Sequence, residues 1–251
     1  MGETHAGRTI LRITGADRET FLQGLVTNDV RGLDAMTYAA LLTPQGKFIA
    51  DFFLLPEDNA ILLDVAEEAA AGLQKKLNIY KLRADVAIET TDLYAIRGID
   101  LPAPEGAHAD PRHPKLGWRL YSETPGAPPA IDWDGIRVSQ VIPEFGRELT
   151  PESYILEAGF ERLHGVDFRK GCYVGQEVTA RMKHKTELRK GYARVDIDGP
   201  QPAEGTKVTT EDGKEVGLLT TVVPGQAIAY LRFDRAKGPL RAGDAGVVWE
   251  G

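Results

Sequence analysis

A single cysteine, Cys172, is all the thiol chemistry in this 251-residue chain. One cysteine cannot close an internal disulfide, so nothing points to an oxidising compartment. Nor can it hold a metal centre alone, because zinc and iron–sulfur centres take about four protein ligands. Basic charge is also short. The 30 Lys and Arg residues face 37 Asp and Glu residues, for a net charge of −7. That balance argues against a direct nucleic-acid platform, which needs a basic face. No apolar run approaches the ~20 residues that cross a bilayer. The opening Met1-Gly2-Glu3-Thr4-His5 lacks the apolar core of a signal peptide. These absences predict a cytoplasmic protein with no membrane partner, and no repeat at a fixed period is visible. A monomer is the expected state.

What is present reads as an α+β protein with a β-rich end. Arg8 to Thr14, Tyr38 to Leu42, Phe48 to Leu55, Ala60 to Val65 and Tyr94 to Gly98 have strand patterns. Phe21, Leu22, Leu25 and Val26 share a helical face, and Thr27-Asn28-Asp29-Val30 reads as the turn that stops that helix. Asp64 and Glu67 have the spacing of a capping box ahead of a helix with a stripe at Ala69, Leu73 and Leu77. Ile79 to Glu89 reads as extended, Trp133 to Ile142 as a strand, and Thr150-Pro151-Glu152 as a helix start. Between Pro102 and Pro129 lie seven of the 15 prolines, which marks a loop-rich stretch. His108 and His113 fall within it, without cysteine or acidic ligands at metal-site spacing. After Lys185 short strands recur, with Glu211-Asp212-Gly213-Lys214 as a hairpin turn, the pattern of a small barrel. The expected division is residues 1–188 as an α+β region, with a reduced middle module at about 92–135, and residues 189–251 as the barrel. The boundary is placed at Thr186 to Lys190.

Two places offer chemistry. The first is Lys170-Gly171-Cys172-Tyr173-Val174-Gly175-Gln176-Glu177. Its thiol lies near Arg169 and Lys170 and ahead of a helix-like run that includes Arg181, where a helix dipole favours thiolate. Nucleophile, metal ligand and inert core residue all remain open for Cys172. His164 and His184 are the available partners for a Cys–His pair, and neither is well placed. The second place is Asp51, a carboxylate amid Ile49, Phe52, Phe53 and Leu54. It either points outward by strand alternation or lines a cavity, where desolvation raises its pKa.

The octapeptide resembles the signature of the YgfZ family. Phe21-Leu22-Gln23-Gly24, Thr27-Asn28-Asp29-Val30 and Leu41-Leu42-Thr43-Pro44-Gln45-Gly46-Lys47 resemble that family's N-terminal segments, and the resemblance covers most of the chain. The family is similar in fold to the glycine-cleavage T protein, a tetrahydrofolate-dependent aminomethyltransferase. The resemblance therefore implies modules around a central folate-sized cavity, with tetrahydrofolate or a derivative as cofactor. It places Tyr38 and Asp51 on folate contacts. The nearest counterpart of a T-protein Gly-Tyr-x-Gly-Glu stretch is Gly117-Trp118-Arg119-Leu120-Tyr121, which lacks the acid, and a folate-binding arginine falls near Trp133.

Two functions follow from that resemblance. The first is a non-enzymatic factor for iron–sulfur cluster biogenesis or repair. Cys172 would be one ligand of a transient cluster shared with an A-type carrier, on behalf of [4Fe–4S] client proteins that include tRNA-modifying enzymes. Lys170 and Arg181 would favour an anion there, Gly171 and Gly175 would admit a partner, and Tyr173, Gln176 and Glu177 would complete the motif. The second is a tetrahydrofolate-dependent aminomethyltransferase or demethylase in which Asp51 acts as acid or base.

Overall fold

The computed structural model describes residues 2–184 and 187–251. Its contacts divide the chain into two compact units, Met1–Ile131 with Phe160–Val178, and Asp132–Gly159 with Thr179–Gly251. Residues 132–159 thus group with the barrel and not with the chain that precedes them. Thr186, where the expected boundary begins, lies outside the described residues.

The first unit is built on two antiparallel sheets. Its strands are β1 (Glu3–Thr4), β2 (Arg8–Thr14), β3 (Thr37–Leu42), β4 (Phe48–Glu57), β5 (Ala60–Ala66), β6 (Ala87–Thr90), β7 (Tyr94–Gly98), β8 (His108–Ala109) and β9 (Trp118–Ser122). One sheet runs β3-β4-β5-β2-β6 and the other β1-β7-β9-β8. Helices α1 (Arg18–Gln23) and α2 (Glu67–Lys81) belong to this unit as well.

Strand alternation gives the five-stranded sheet two distinct faces. Ala39 and Leu41, Ala50, Phe52 and Leu54, Ile61, Leu63 and Val65, and Leu11 and Ile13 form one core with Ala70, Leu73 and Leu77 of α2. Burying each of those leucines stabilises the fold by about 1.5–3 kcal/mol. The other face carries a row set by strand register, in which Tyr38 pairs with Phe53, Phe53 with Asp64, and Asp64 with Ile10. Asp51 lies on this second face, two residues from Phe53 on β4.

Two expectations change here. Asp64 is a strand residue and caps nothing; Ala66 precedes α2 without a side-chain cap. Ile79 to Lys81 is helical, not extended, because the Leu73 and Leu77 stripe carries the helix on to Lys81. Glu67 and Glu68 in the first turn and Lys81 in the last complement its dipole.

The second unit holds α3 (Trp133–Gln140) and strands β10 (Lys190–Asp198), β11 (Lys207–Thr210), β12 (Glu215–Val223), β13 (Gln226–Arg232), β14 (Leu240–Ala242) and β15 (Ala245–Val248). These six strands close into a barrel in the order β10-β13-β12-β11-β14-β15. Val208, Leu219, Ala229 and Leu231 are among the side chains that fill it. The Trp133 to Ile142 segment is a helix where a strand was expected. Asp132 caps it by accepting a hydrogen bond from the Gly135 N–H at 2.9 Å, and Trp133, Arg137 and Val138 form its buried face. Thr150-Pro151-Glu152 opens a series of turns and no helix. A fourth helix, α4 (Gln176–Lys183), spans the boundary between the units in sequence. Among the described residues, no helix is long and apolar enough to cross a membrane.

Candidate functional site

Asp51 points to the second face of the sheet and is only 5% exposed. Its Oδ2 accepts a hydrogen bond from the Tyr38 hydroxyl at 2.9 Å, while its buried Oδ1 has no hydrogen-bond partner. Burial pushes its carboxyl above the usual range, opposed by the Arg8 guanidinium, the Tyr38 hydrogen bond and Arg112. Tyr38 is fully buried between Phe53 and Phe160, with ring centroids 5.4 and 5.0 Å away. Burial and the neighbouring Asp51 drive its hydroxyl well above the ordinary tyrosine value. Burial excludes the outward, solvent-facing reading of Asp51.

Next to Asp51 lies an ionic cluster. Asp64 accepts from Arg8 Nε at 2.6 Å, Arg119 Nη1 at 2.9 Å and the Tyr121 hydroxyl at 2.9 Å. Arg119 Nε reaches Asp110 at 3.1 Å, and Arg112 binds Asp110 through both oxygens at 3.0 and 2.8 Å. Burial resists the charge on Asp110, but Arg112 and Arg119 hold its carboxyl down at about 2. The three guanidiniums sit over the ring of Phe53 at 5.8, 4.8 and 4.0 Å for Arg8, Arg112 and Arg119. His5, 3.5 Å from Arg119, is held well below the ordinary histidine value by burial and then by these arginines. Sequence reading missed this cluster. The signal was present, since Asp64 interrupts an apolar strand just as Asp51 does.

The octapeptide lies in the same unit and is anchored through Lys170 to the segment between α1 and β3. Lys170 is buried, and its ammonium donates to the carbonyls of Val26 at 2.5 Å and Asn28 at 2.7 Å. Burial lowers its pKa to about 8, Asp29 acting against that fall. Its Nζ also lies 5.3 Å from the ring centre of the buried Tyr173. Thr27 donates to the Gly165 carbonyl at 2.6 Å, and Asn28 bridges the Tyr38 and His164 carbonyls at 2.8 and 2.7 Å. Helix α1 ends at Gln23, ahead of Leu25 and Val26, so Thr27 and Asn28 do not stop it; they act as long-range clamps.

Gly175 joins the two signature segments. Its φ is +84°, and a Cβ there would lie 2.6 Å from the Thr43 carbonyl oxygen and 3.2 Å from Gly46 Cα. Gly46 faces Val178 in the same way, at 2.8 Å. Only glycine permits so close a backbone approach in this conformation.

Cys172 and Gly171 are exposed, as are Glu177 and Arg181, and Gln176 is half-buried. Helix α4 begins at Gln176, so Cys172 lies four residues before it and outside the first turn, where a helix dipole acts. Exposure removes the inert-core reading of this thiol. Among the described residues, no group of three or more His, Cys, Asp or Glu side chains is arranged to hold a metal ion.

The fold has a close counterpart in the crystal structure of glycine cleavage system aminomethyltransferase T from Bartonella henselae. The match has a TM-score of 0.80 and covers 98% of this chain and 83% of that one, at 12% identity. A family described as CAF17, C-terminal beta-barrel domain, matches residues 189–250. The chain is thus a protein of the glycine-cleavage T fold, of mixed α and β content, ending in a closed six-stranded barrel. Iron-sulfur cluster assembly factor IBA57, mitochondrial, from mouse is 31% identical over 281 residues, which are 93% of this chain and 78% of that protein. The human protein of that name is 31% identical with the same coverage. A homologue from Mycosarcoma maydis is 33% identical over 216 residues, 73% of this chain and 54% of that protein. The chain belongs to the IBA57 family of iron–sulfur cluster assembly factors.

The mitochondrial location in those names overturns the cytoplasmic expectation. A lone cysteine and the absence of disulfides mark any reducing compartment, and so cannot single out the cytoplasm.

Proposed function

We propose that this chain assembles or repairs iron–sulfur clusters in the manner of the YgfZ proteins, with Cys172 lending one thiolate to a cluster shared with an A-type carrier. The cluster is cargo, passed on to [4Fe–4S] client proteins that include tRNA-modifying enzymes. The observation that carries this reading is the position of Cys172, a sole and exposed thiol on a loop that Lys170 fastens to the segment between α1 and β3. A partner's ligands can reach it, and the other ligands of a cluster must come from that partner. The test mixes a [2Fe–2S]-loaded A-type carrier with wild-type protein or Cys172→Ser. Wild type alters the visible absorption and circular dichroism of the cluster and forms a complex, while Cys172→Ser does neither. Equal spectra and equal complex formation with the serine variant would sink the proposal.

The second part of the proposal is a reduced folate at Asp51. The unpaired, buried Oδ1 fits a ligand that presents N–H donors, as a pterin does. Asp51 would accept from those groups, and Tyr38 would hold the carboxylate in place. A bound tetrahydrofolate would supply a carrier for one-carbon units. Titration calorimetry with tetrahydrofolate is expected to show binding that Asp51→Asn weakens; the same affinity in both proteins would remove Asp51 from the site.

A one-carbon transferase is the alternative, favoured by the raised carboxyl of Asp51, which suits an acid or base. Turnover of a methylamine donor by purified protein, lost in Asp51→Asn and kept in Cys172→Ser, would decide for it.

A further inference from the structure

Two arginines frame Asp51 without donating to it. Arg8, at the start of β2, and Arg112, in the loop after β8, both lie over the ring of Phe53, at 5.8 and 4.8 Å. Phe53 and Asp51 share one face of β4. Arg112 also lies 5.5 Å from the ring centre of Tyr38, whose hydroxyl donates to Asp51. Each fork is engaged elsewhere, Arg8 on Asp64 and Arg112 on Asp110, so both cations are fixed in position.

Among the three arginines over Phe53 and the carboxylates they bind, one charge is left over; Arg97 on β7 acts on His5 beside them. Arg8 on β2, Arg119 on β9 and Arg112 bind two other carboxylates, Asp64 on β5 and Asp110. Three guanidiniums against two carboxylates leave one positive charge to face Asp51. Without it, a carboxyl this deeply buried would keep its proton and present an O–H donor.

We propose that Arg8 and Arg112 are positioning residues of the Asp51 site, holding its carboxyl as an ionised acceptor and so selecting planar ligands that present N–H donors, such as the aminopyrimidinone edge of a pterin, over ligands that present acceptors. The ligand class rests on the folate reading above; the charge state of Asp51 does not. Burial raises Asp51, and Arg8, the Tyr38 hydrogen bond and Arg112 act against that rise, in that order. An acceptor of N–H groups works above its pKa, so binding fades as pH falls through it. Removing either arginine moves that loss to higher pH.

The test has a ligand-free arm and a ligand arm. In the first, the side-chain carboxyl carbon of Asp51 is titrated by carbon-13 NMR in wild type, Arg8→Gln, Arg112→Gln and Arg112→Lys. Both glutamine variants are expected to titrate at higher pH than wild type, and lysine, which keeps the charge, to stay near it. An unmoved midpoint in the glutamine variants overturns the proposal. Should either glutamine variant not fold, the other decides. Should neither fold, Arg8→Lys and Arg112→Lys decide, a midpoint near wild type supporting the proposal and an upward shift overturning it. In the second arm, tetrahydrofolate affinity at neutral pH is expected to fall roughly tenfold in a glutamine variant, the share of one hydrogen bond to a charged group. If wild type binds no tetrahydrofolate, the folate reading fails and the titration still judges the arginines.

Discussion

Replacing Asp64 by asparagine removes one charge from the centre of the arginine cluster and almost no volume. The side chain is 1% exposed and takes three hydrogen bonds, from Arg8 at 2.6 Å, Arg119 at 2.9 Å and Tyr121 at 2.9 Å. Asparagine keeps one acceptor oxygen and turns an NH2 group toward a donor. Two buried guanidiniums then lose their shared counter-charge. Breaking a buried pair from one side costs about 3–5 kcal/mol. Two hydrogen bonds to charged groups, at about 1.5–3 kcal/mol each, give an overlapping range of about 3–6 kcal/mol. That is a large part of the 5–15 kcal/mol typical of a folded domain. Urea unfolding followed by far-ultraviolet circular dichroism measures it. With a slope of about 2 kcal/mol per molar, the midpoint should drop by about 2 M at unchanged slope. Arg12→Gln is the control. Its pair with Glu57 is 42% and 39% exposed at the side chains, and such pairs contribute about 1 kcal/mol or less. A midpoint drop for Asp64→Asn no larger than that of Arg12→Gln would refute the account of the cluster.

Three further outcomes follow from the same geometry. Asp110 titrates at about 2, against 3.8 in its ordinary state, so its ion pairs contribute about 2 kcal/mol above the ordinary value; this is lost as pH falls toward 2, and Asp110→Asn should abolish that acid limb in a Tm-against-pH series. In the second unit, Arg137 joins Glu148 at 3.2 Å, Thr221 at 3.1 Å and the Ile142 carbonyl at 2.7 Å, all buried, so Glu148→Gln should lower stability by about 3–5 kcal/mol in chemical denaturation. Gly175→Ala meets both the +84° φ and the Thr43 carbonyl, and should cost about 1–3 kcal/mol and speed alkylation of Cys172 by loosening its loop; wild-type stability and wild-type alkylation would contradict the docking of the two segments.

Strands β2, β3, β4, β5 and β7 were legible because each carries its own pattern, whereas the two-residue strands β1 and β8 are too short to carry one. Arg8 to Thr14 is β2 to the residue, and the alternation in Phe48 to Leu55 put Asp51 on the face away from Phe52. The barrel was legible from its turns. What the sequence hid was tertiary. Trp133 to Ile142 contains enough β-branched and aromatic residues to look like a strand, and only the Asp132 cap and the buried Arg137 make it a helix. Asp64 reads as a cap because capping is a local pattern, whereas its partners lie 56, 55 and 57 residues away. The octapeptide was visible as a motif. Its docking on the Thr43–Lys47 turn was not, because a glycine announces freedom of φ without saying what backbone comes close.

The bonds that hold the Cys172 loop have a consequence for the order of events in synthesis. Lys170 binds a carbonyl 144 residues earlier in the chain, and Gly175 seats on a turn made about as early. The five strands of the first sheet can pair as they emerge, but their contacts with the octapeptide must wait until residue 178 has been made. Contacts this distant in sequence form late and slowly. The place that receives the loop is therefore made long before the thiol, so a nascent or truncated chain that stops short of residue 170 carries the seat without the cysteine it presents.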